Sequence, residues 1–225
     1  MMKRFNLREP IDIDFIVDFY EEYLPDPTPE NNTFVEIGVG HTVNKSFTME
    51  SLYDQIMCET APEITAHCGS NTLDLLDHGF RGIYIDPVIE FLWELGLLTK
   101  GKKAIPLNYG CSNKTEIRHM FSGESLLENP NHLGNSGIDY IGRPIMCMAV
   151  SDILDKHDIS GPITLMSIDA EGMEPLVLEG IREEHLPKLM ILETTHCGEN
   201  SIHDTMLSLG YELKYKSVSD SGYVR

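Results

Sequence analysis

The chain has 225 residues, 41% of them apolar, and a formal charge of -19 from 17 Lys+Arg against 36 Asp+Glu. That length suits one α/β core rather than two full domains. The apolar content excludes wholesale disorder, and the acidic balance disfavours phosphate backbones, so no nucleic-acid partner is expected. Lys100, Lys102 and Lys103 form the one dense basic cluster, which reads as a solvated turn. No apolar run approaches the roughly 20 residues of a membrane span. The charged stretch 1–10 does not resemble a signal sequence, so a cytoplasmic protein with no membrane partner is expected. Five cysteines, Cys58, Cys68, Cys111, Cys147 and Cys197, include no C-x-x-C pair and are expected to be reduced thiols. His67 with Cys68 and His196 with Cys197 adjoin in sequence, but that spacing gives a zinc site little support.

Residues 11–24 carry apolar side chains at helical spacing, and Pro25, Pro27 and Pro29 end that helix. The expected organisation is an N-terminal helix and Pro-rich linker over 1–32, then one domain over 33–225. From Thr33 the text TFVEIGVG reads as a buried parallel strand running into a glycine turn. Residues 82–86 (GIYID), 103–107 (KAIPL), 163–169 (ITLMSID) and 189–193 (LMILE) share that apolar character and predict four further strands. Helix-like segments at 72–78, 88–98, 151–157, 174–180 and 201–210 lie between or after them. This alternation predicts an α/β fold, with a mostly parallel sheet covered on both faces and a ligand crevice at the strands' carboxyl ends. The tail at 211–225 predicts two antiparallel strands, a closing hairpin. Two stretches, 41–67 and 120–143, break the alternation and read as insertions that shape a substrate pocket.

Glu36, Gly38 and Gly40 form an acid-x-Gly-x-Gly turn whose glycines let backbone approach a ligand. Val43 stands where a dinucleotide fingerprint has its third glycine, which disfavours an NAD enzyme. Asp86 ends the next strand and suits either the ribose hydroxyls of an adenosine or, before Pro87, a plain helix cap.

Three longer runs carry a family resemblance: GSNTLDLLDHGFRGIYIDP (69–87), SIDAEGMEPLVLEGI (167–181) and LMILETTH (189–196). With LGYELKY near the end, they resemble the FkbM family of S-adenosylmethionine (SAM)-dependent methyltransferases. The resemblance implies a Rossmann-like class I methyltransferase fold with a seven-stranded sheet, SAM at its carboxyl edge, and methyl transfer to a hydroxyl of a small molecule or carbohydrate. By matching positions it also implies that Glu36, Gly38 and Gly40 line the methionine side of SAM and that Asp86 holds the ribose. Asn108, Cys111 and Ser112 would lie near adenine, with Ser70 and Asn71 also reaching the cofactor. The chain departs from the family pattern in the long crossover from Gly40 to Asp86, which offers His41, Asn44, Tyr53 and His67 as pocket residues.

Methyl transfer to an alcohol needs the donor and acceptor aligned and the hydroxyl proton removed. Asp169 and Glu193 end adjacent predicted strands, and Glu171 lies on the adjoining turn. Asp169 and Glu193 could hold Mg²⁺, which would acidify the hydroxyl; otherwise a carboxylate or His196 takes the proton directly. Glu174 reads as a helix cap only. Two rivals are a nucleotide-binding oxidoreductase and a catalytically silent SAM-binding protein. A homodimer stays open, because the N-terminal helix could pack on its own sheet or on a second chain.

Overall fold

The computed structural model describes residues 13–40, 70–122, 125–126, 143–195 and 199–225. The expected insertion at 41–67, with His41, Asn44, Tyr53 and His67, lies outside them, as do His196, Cys197 and most of 120–143.

Helix α1 (Ile13–Tyr23) turns Ile16, Val17, Phe19 and Tyr20 inward, the stripe that its helical periodicity prescribes. It packs on its own sheet: Phe19 and Tyr23 meet the ring of Tyr215 at 5.8 and 6.2 Å between centroids. Strand β1 (Thr33–Ile37) follows, then a 3-10 helix (Leu73–His78) that ends at Gly79. Next come β2 (Arg81–Ile85), α2 (Ile89–Leu98) and β3 (Ala104–Leu107). Four short strands succeed them: β4 (Gly110–Ser112), β5 (Glu116–Ser122), β6 (Ser125–Leu126) and β7 (Arg143–Ala149). The chain then alternates again through α3 (Val150–Lys156), β8 (Leu165–Ile168), α4 (Glu174–Glu179), β9 (Leu189–Glu193) and α5 (Glu199–Ser208). It closes with β10 (Glu212–Lys216) and β11 (Asp220–Val224).

The main sheet has seven strands in the order β10-β11-β9-β8-β1-β2-β3. Five of them, β3, β2, β1, β8 and β9, pair in parallel, and β11 is antiparallel to both β9 and β10. The expected hairpin therefore exists, but it is not simply appended: its second strand lies between β9 and its first. One face carries Val35, Ile37, Met166 and Ile168 against Ile153 and Leu154 of α3, Val177 of α4 and Met206 of α5. The other packs Phe34, Tyr84, Leu165 and Ile191 against α1, the 3-10 helix and Leu92 and Leu95 of α2. Each such fully buried large side chain contributes about 1.5–3 kcal/mol. This is a Rossmann-like α/β fold.

A second sheet, in the order β4-β7-β5-β6, adds to that frame. None of its strands is among those the sequence predicts, and the expected insertion at 120–143 runs from the end of β5 to the start of β7. Its inner face carries Met120, Ile145 and Cys147, which cluster with Val88 and Phe91 at the start of α2. Its outer face leaves Ile117 and Met146 exposed, so the alternation that marks a half-buried strand is blurred. Among the described residues, no helix is long and apolar enough to cross a membrane.

Candidate active site

Strands β1, β2, β8 and β9 run parallel, so their carboxyl ends share one edge. The register sets Glu36 beside Tyr84 on one side and Ser167 on the other, with Ser167 beside Ile191. Side chains alternate along a strand, so these residues face the α1 side of the sheet. Asp86, Asp169 and Glu193 follow two residues after Tyr84, Ser167 and Ile191, at the strand ends.

The turn after β1 is built of glycines with left-handed backbone, Gly38 at φ 78° and Gly40 at φ 61°. A Cβ on Gly38 would stand 1.6 Å from the carbonyl oxygen of Asp169, so only glycine lets the turn lie against the end of β8. The Gly38 amide donates to Ile85 O at 3.0 Å, and the Asp169 amide donates to Ile37 O at 2.9 Å.

Asp86 is buried, and its Oδ2 accepts the amides of Val39 at 2.9 Å and Gly40 at 3.4 Å. Its Oδ1 accepts the Val88 amide at 2.6 Å. Helix α2 takes Val88 as its N-cap and has no side-chain cap, so Asp86 is not its cap: it closes a turn ahead of the helix and braces the glycine turn. Asn108 donates from Nδ2 to Asp86 O at 2.9 Å. It also borders an apolar groove of about 450 Å³ between α2 and edge strand β3, lined by Ile89, Trp93, Leu97 and Pro106. Cys111 is buried in the core beside Leu107, and burial pushes its thiol far up. Ser112 is fully buried in β4 and donates to Glu116 Oε1 at 3.2 Å. Of the three residues expected near adenine, Asn108 is the exposed one, next to Asp86, whereas Ser112 is turned toward the second sheet.

Glu36, also buried, sits in a cradle of donors. Its Oε2 accepts Ser70 Oγ at 2.5 Å and Thr72 Oγ1 at 2.6 Å, and its Oε1 accepts the Asn71 amide at 2.7 Å. Asn71 Nδ2 reaches Ser167 Oγ at 3.1 Å. Burial pushes the Glu36 carboxyl up to about 7, against the pull of these hydrogen bonds. The structure places Ser70 and Asn71 against Glu36. Thr72 and Ser167 were not singled out, although Thr72 adjoins Ser-Asn and Ser167 stands two residues before Asp169.

Asp169, Glu174 and Glu193 each offer a carboxylate oxygen within 4.8 Å of the others. Glu174 closes its own turn, accepting Ala170 N at 2.7 Å and Gly172 N at 3.1 Å. Those amides precede the N-cap Met173, and α4 has no side-chain cap, so Glu174 braces the turn before its helix instead of capping the helix end, and it also stands in the acidic cluster. Glu171, exposed at the tip of that turn, holds a left-handed φ of 52°, a conformation that costs a non-glycine residue about 1–2 kcal/mol. Asp169 Oδ1 is buried and accepts no hydrogen bond among the described residues. Burial first, and then the facing Glu193, push the Asp169 carboxyl up to about 8; burial also raises Glu193. Two facing carboxyls in a poorly solvated site share a proton.

The methyltransferase FkbM domain model matches residues 30–216, well over half of the chain. The chain belongs to the FkbM methyltransferase family. No curated protein and no solved structure matches it. The FkbM span holds the glycine turn, Glu36, Asp86 and the acidic cluster, whereas α1 precedes it and β11 follows it. The residues of this FkbM domain fit a nucleoside-bearing cofactor: a turn that admits close backbone approach lies next to a strand-end carboxylate and an exposed asparagine amide.

Proposed function

We propose that this FkbM protein is a SAM-dependent O-methyltransferase acting on a hydroxyl of a small molecule or carbohydrate. The observation that carries the reading is Asp169: a half-buried carboxyl with one buried, unpartnered oxygen, raised toward 8, at the strand edge beside the glycine turn. When bound, SAM supplies a sulfonium-activated methyl group for transfer to oxygen. Gly38 and Gly40 would admit its amino-acid end, Asp86 its ribose hydroxyls and Asn108 its adenine. Once the pair has released its shared proton, Asp169 accepts the proton of the acceptor hydroxyl at Oδ1, and the charge of the facing Glu193 carboxylate favours that protonated product. A carboxyl raised toward neutrality is a stronger base than an ordinary one, the property proton abstraction requires. In a closed site such a base contributes about 10²–10⁴ in rate.

A divalent cation is the second reading, favoured by the convergence of Asp169, Glu174 and Glu193 within 4.8 Å. Oxygen donors of this kind suit Mg²⁺, which would acidify the bound hydroxyl. The backbone amides that Glu174 accepts leave it less available as a ligand, so the metal-free version is preferred.

Calorimetric titration with S-adenosylhomocysteine, alongside NAD and repeated on Asp86→Ala, tests the proposal. Homocysteine-nucleoside binding that Asp86→Ala weakens supports it and justifies an acceptor screen with and without Mg²⁺. Preference for NAD, or binding of neither, overturns it. Binding without turnover of any hydroxyl acceptor points instead to a silent SAM-binding protein.

A further inference from the structure

Helix α1 lies before the span that matches the family, yet one of its side chains reaches the cofactor edge. Tyr20 is fully buried, and its hydroxyl donates to the carbonyl oxygen of Asn71 at 3.0 Å across 51 positions of sequence. The Asn71 amide donates to Glu36 Oε1 at 2.7 Å, and its side-chain Nδ2 donates to Ser167 Oγ at 3.1 Å. The two peptide groups that flank the Asn71 Cα are therefore each tied to a different element: one to β1 through Glu36, the other to α1 through Tyr20. Fixing both fixes φ and ψ at Asn71, and so the direction in which its side chain leaves the backbone. Residues 70–72 belong to no strand or helix, so no ladder of backbone bonds would do this instead. A tyrosine suits the task, because its ring is held by packing while its polar tip reaches the Asn71 carbonyl.

We propose that Tyr20 is a positioning residue for the cofactor site, acting through Asn71 and the Ser70–Thr72 cradle. This rests on the reading of that edge as a SAM site. A role in stability alone would predict a different outcome, and the structure supplies a matched control. Tyr211, equally buried, donates its hydroxyl to Pro187 O at 2.6 Å in the core on the opposite face of the sheet.

The experiment compares Tyr20→Phe and Tyr211→Phe, each of which removes one buried hydroxyl and keeps the ring. Thermal midpoints and calorimetric affinity for S-adenosylhomocysteine are read on both, with KM for SAM against KM for the acceptor once one is found. Both variants lose a comparable few degrees in midpoint. Tyr20→Phe also weakens homocysteine-nucleoside binding about fivefold to tenfold, the cost of one buried hydrogen bond, and raises KM for SAM and not for the acceptor. Tyr211→Phe stays within about twofold of wild type. An unchanged affinity in Tyr20→Phe, or an equal loss in both variants, overturns the positioning role while the SAM site stands. If the wild-type protein fails to bind the probe, the parent reading falls and takes this inference with it.

Discussion

Glutamate 36 offers a sharp test of how burial sets the chemistry of this edge. Replacing it with glutamine keeps the shape and removes the ionisation. The amide oxygen can accept the Asn71 N–H as Oε1 does now, and the amide nitrogen can donate to the Thr72 hydroxyl, which rotates from donor to acceptor. The Ser70 contact weakens, because Ser70 Oγ already accepts the Thr72 and Leu73 amides, but that loss is the same at every pH. In the wild type, burial raises the carboxyl from its ordinary 4.5 to about 7, so the folded state holds a proton that the unfolded chain has already released. The stability this supplies is fully present below about pH 4.5 and is lost as pH rises through about 7. With one pKa unit worth about 1.4 kcal/mol, the loss between pH 5 and pH 8 is about 2–3 kcal/mol. Glu36→Gln escapes that loss. Urea unfolding of both proteins at pH 5 and pH 8 measures it. The variant should gain about 2–3 kcal/mol on the wild type as pH rises, with unchanged denaturant slopes. Parallel stability curves would refute the reasoning, since they would mean that Glu36 ionises in the fold as readily as it does unfolded.

The Asp169 reading predicts a rate that climbs as pH passes through about 8, because the base works only when unprotonated. Asp169→Asn should cut turnover by about 10²–10⁴ while leaving S-adenosylhomocysteine affinity near wild type, as calorimetry and a methyl-transfer assay would check. Treatment with EDTA should leave the wild-type rate unchanged in the metal-free version; a loss restored by Mg²⁺ would favour the cation instead. Gly180→Ala would set a Cβ 2.3 Å from Ser112 O, where α4 ends against β4. Overpacking at that junction should cost about 1–3 kcal/mol in urea unfolding, and no loss would mean that the second sheet does not press on α4.

Much of the fold is legible in single runs of sequence, because a buried parallel strand is apolar on both faces and announces itself without knowledge of its neighbours. TFVEI, GIYI, LMSI and LMILE are such runs, and the acids at or just beyond their ends follow from where the runs stop. The strand of the second sheet at Arg143–Ala149 reads less clearly. Its Met146 faces outward and its Ile145 inward, so hydrophobicity does not alternate with burial. The same holds for Ile117 in β5, exposed where the pattern would bury it.

Composition and strand runs were thus sufficient for the α/β class and the acidic strand ends, and the runs at 69–87, 167–181 and 189–196 for the family resemblance, since each depends on residues close in the chain. The tertiary structure alone decided that β11 lies between β9 and β10, because strand order depends on which edges are free when the sheet closes. It alone joined Glu174 to Asp169 and Glu193, since a carboxylate that braces a turn reaches a second site only through the turn's three-dimensional path. It alone brought Tyr20 to Asn71, a contact across 51 positions that no local period encodes and that exists because α1 packs over the face of the sheet that carries Glu36.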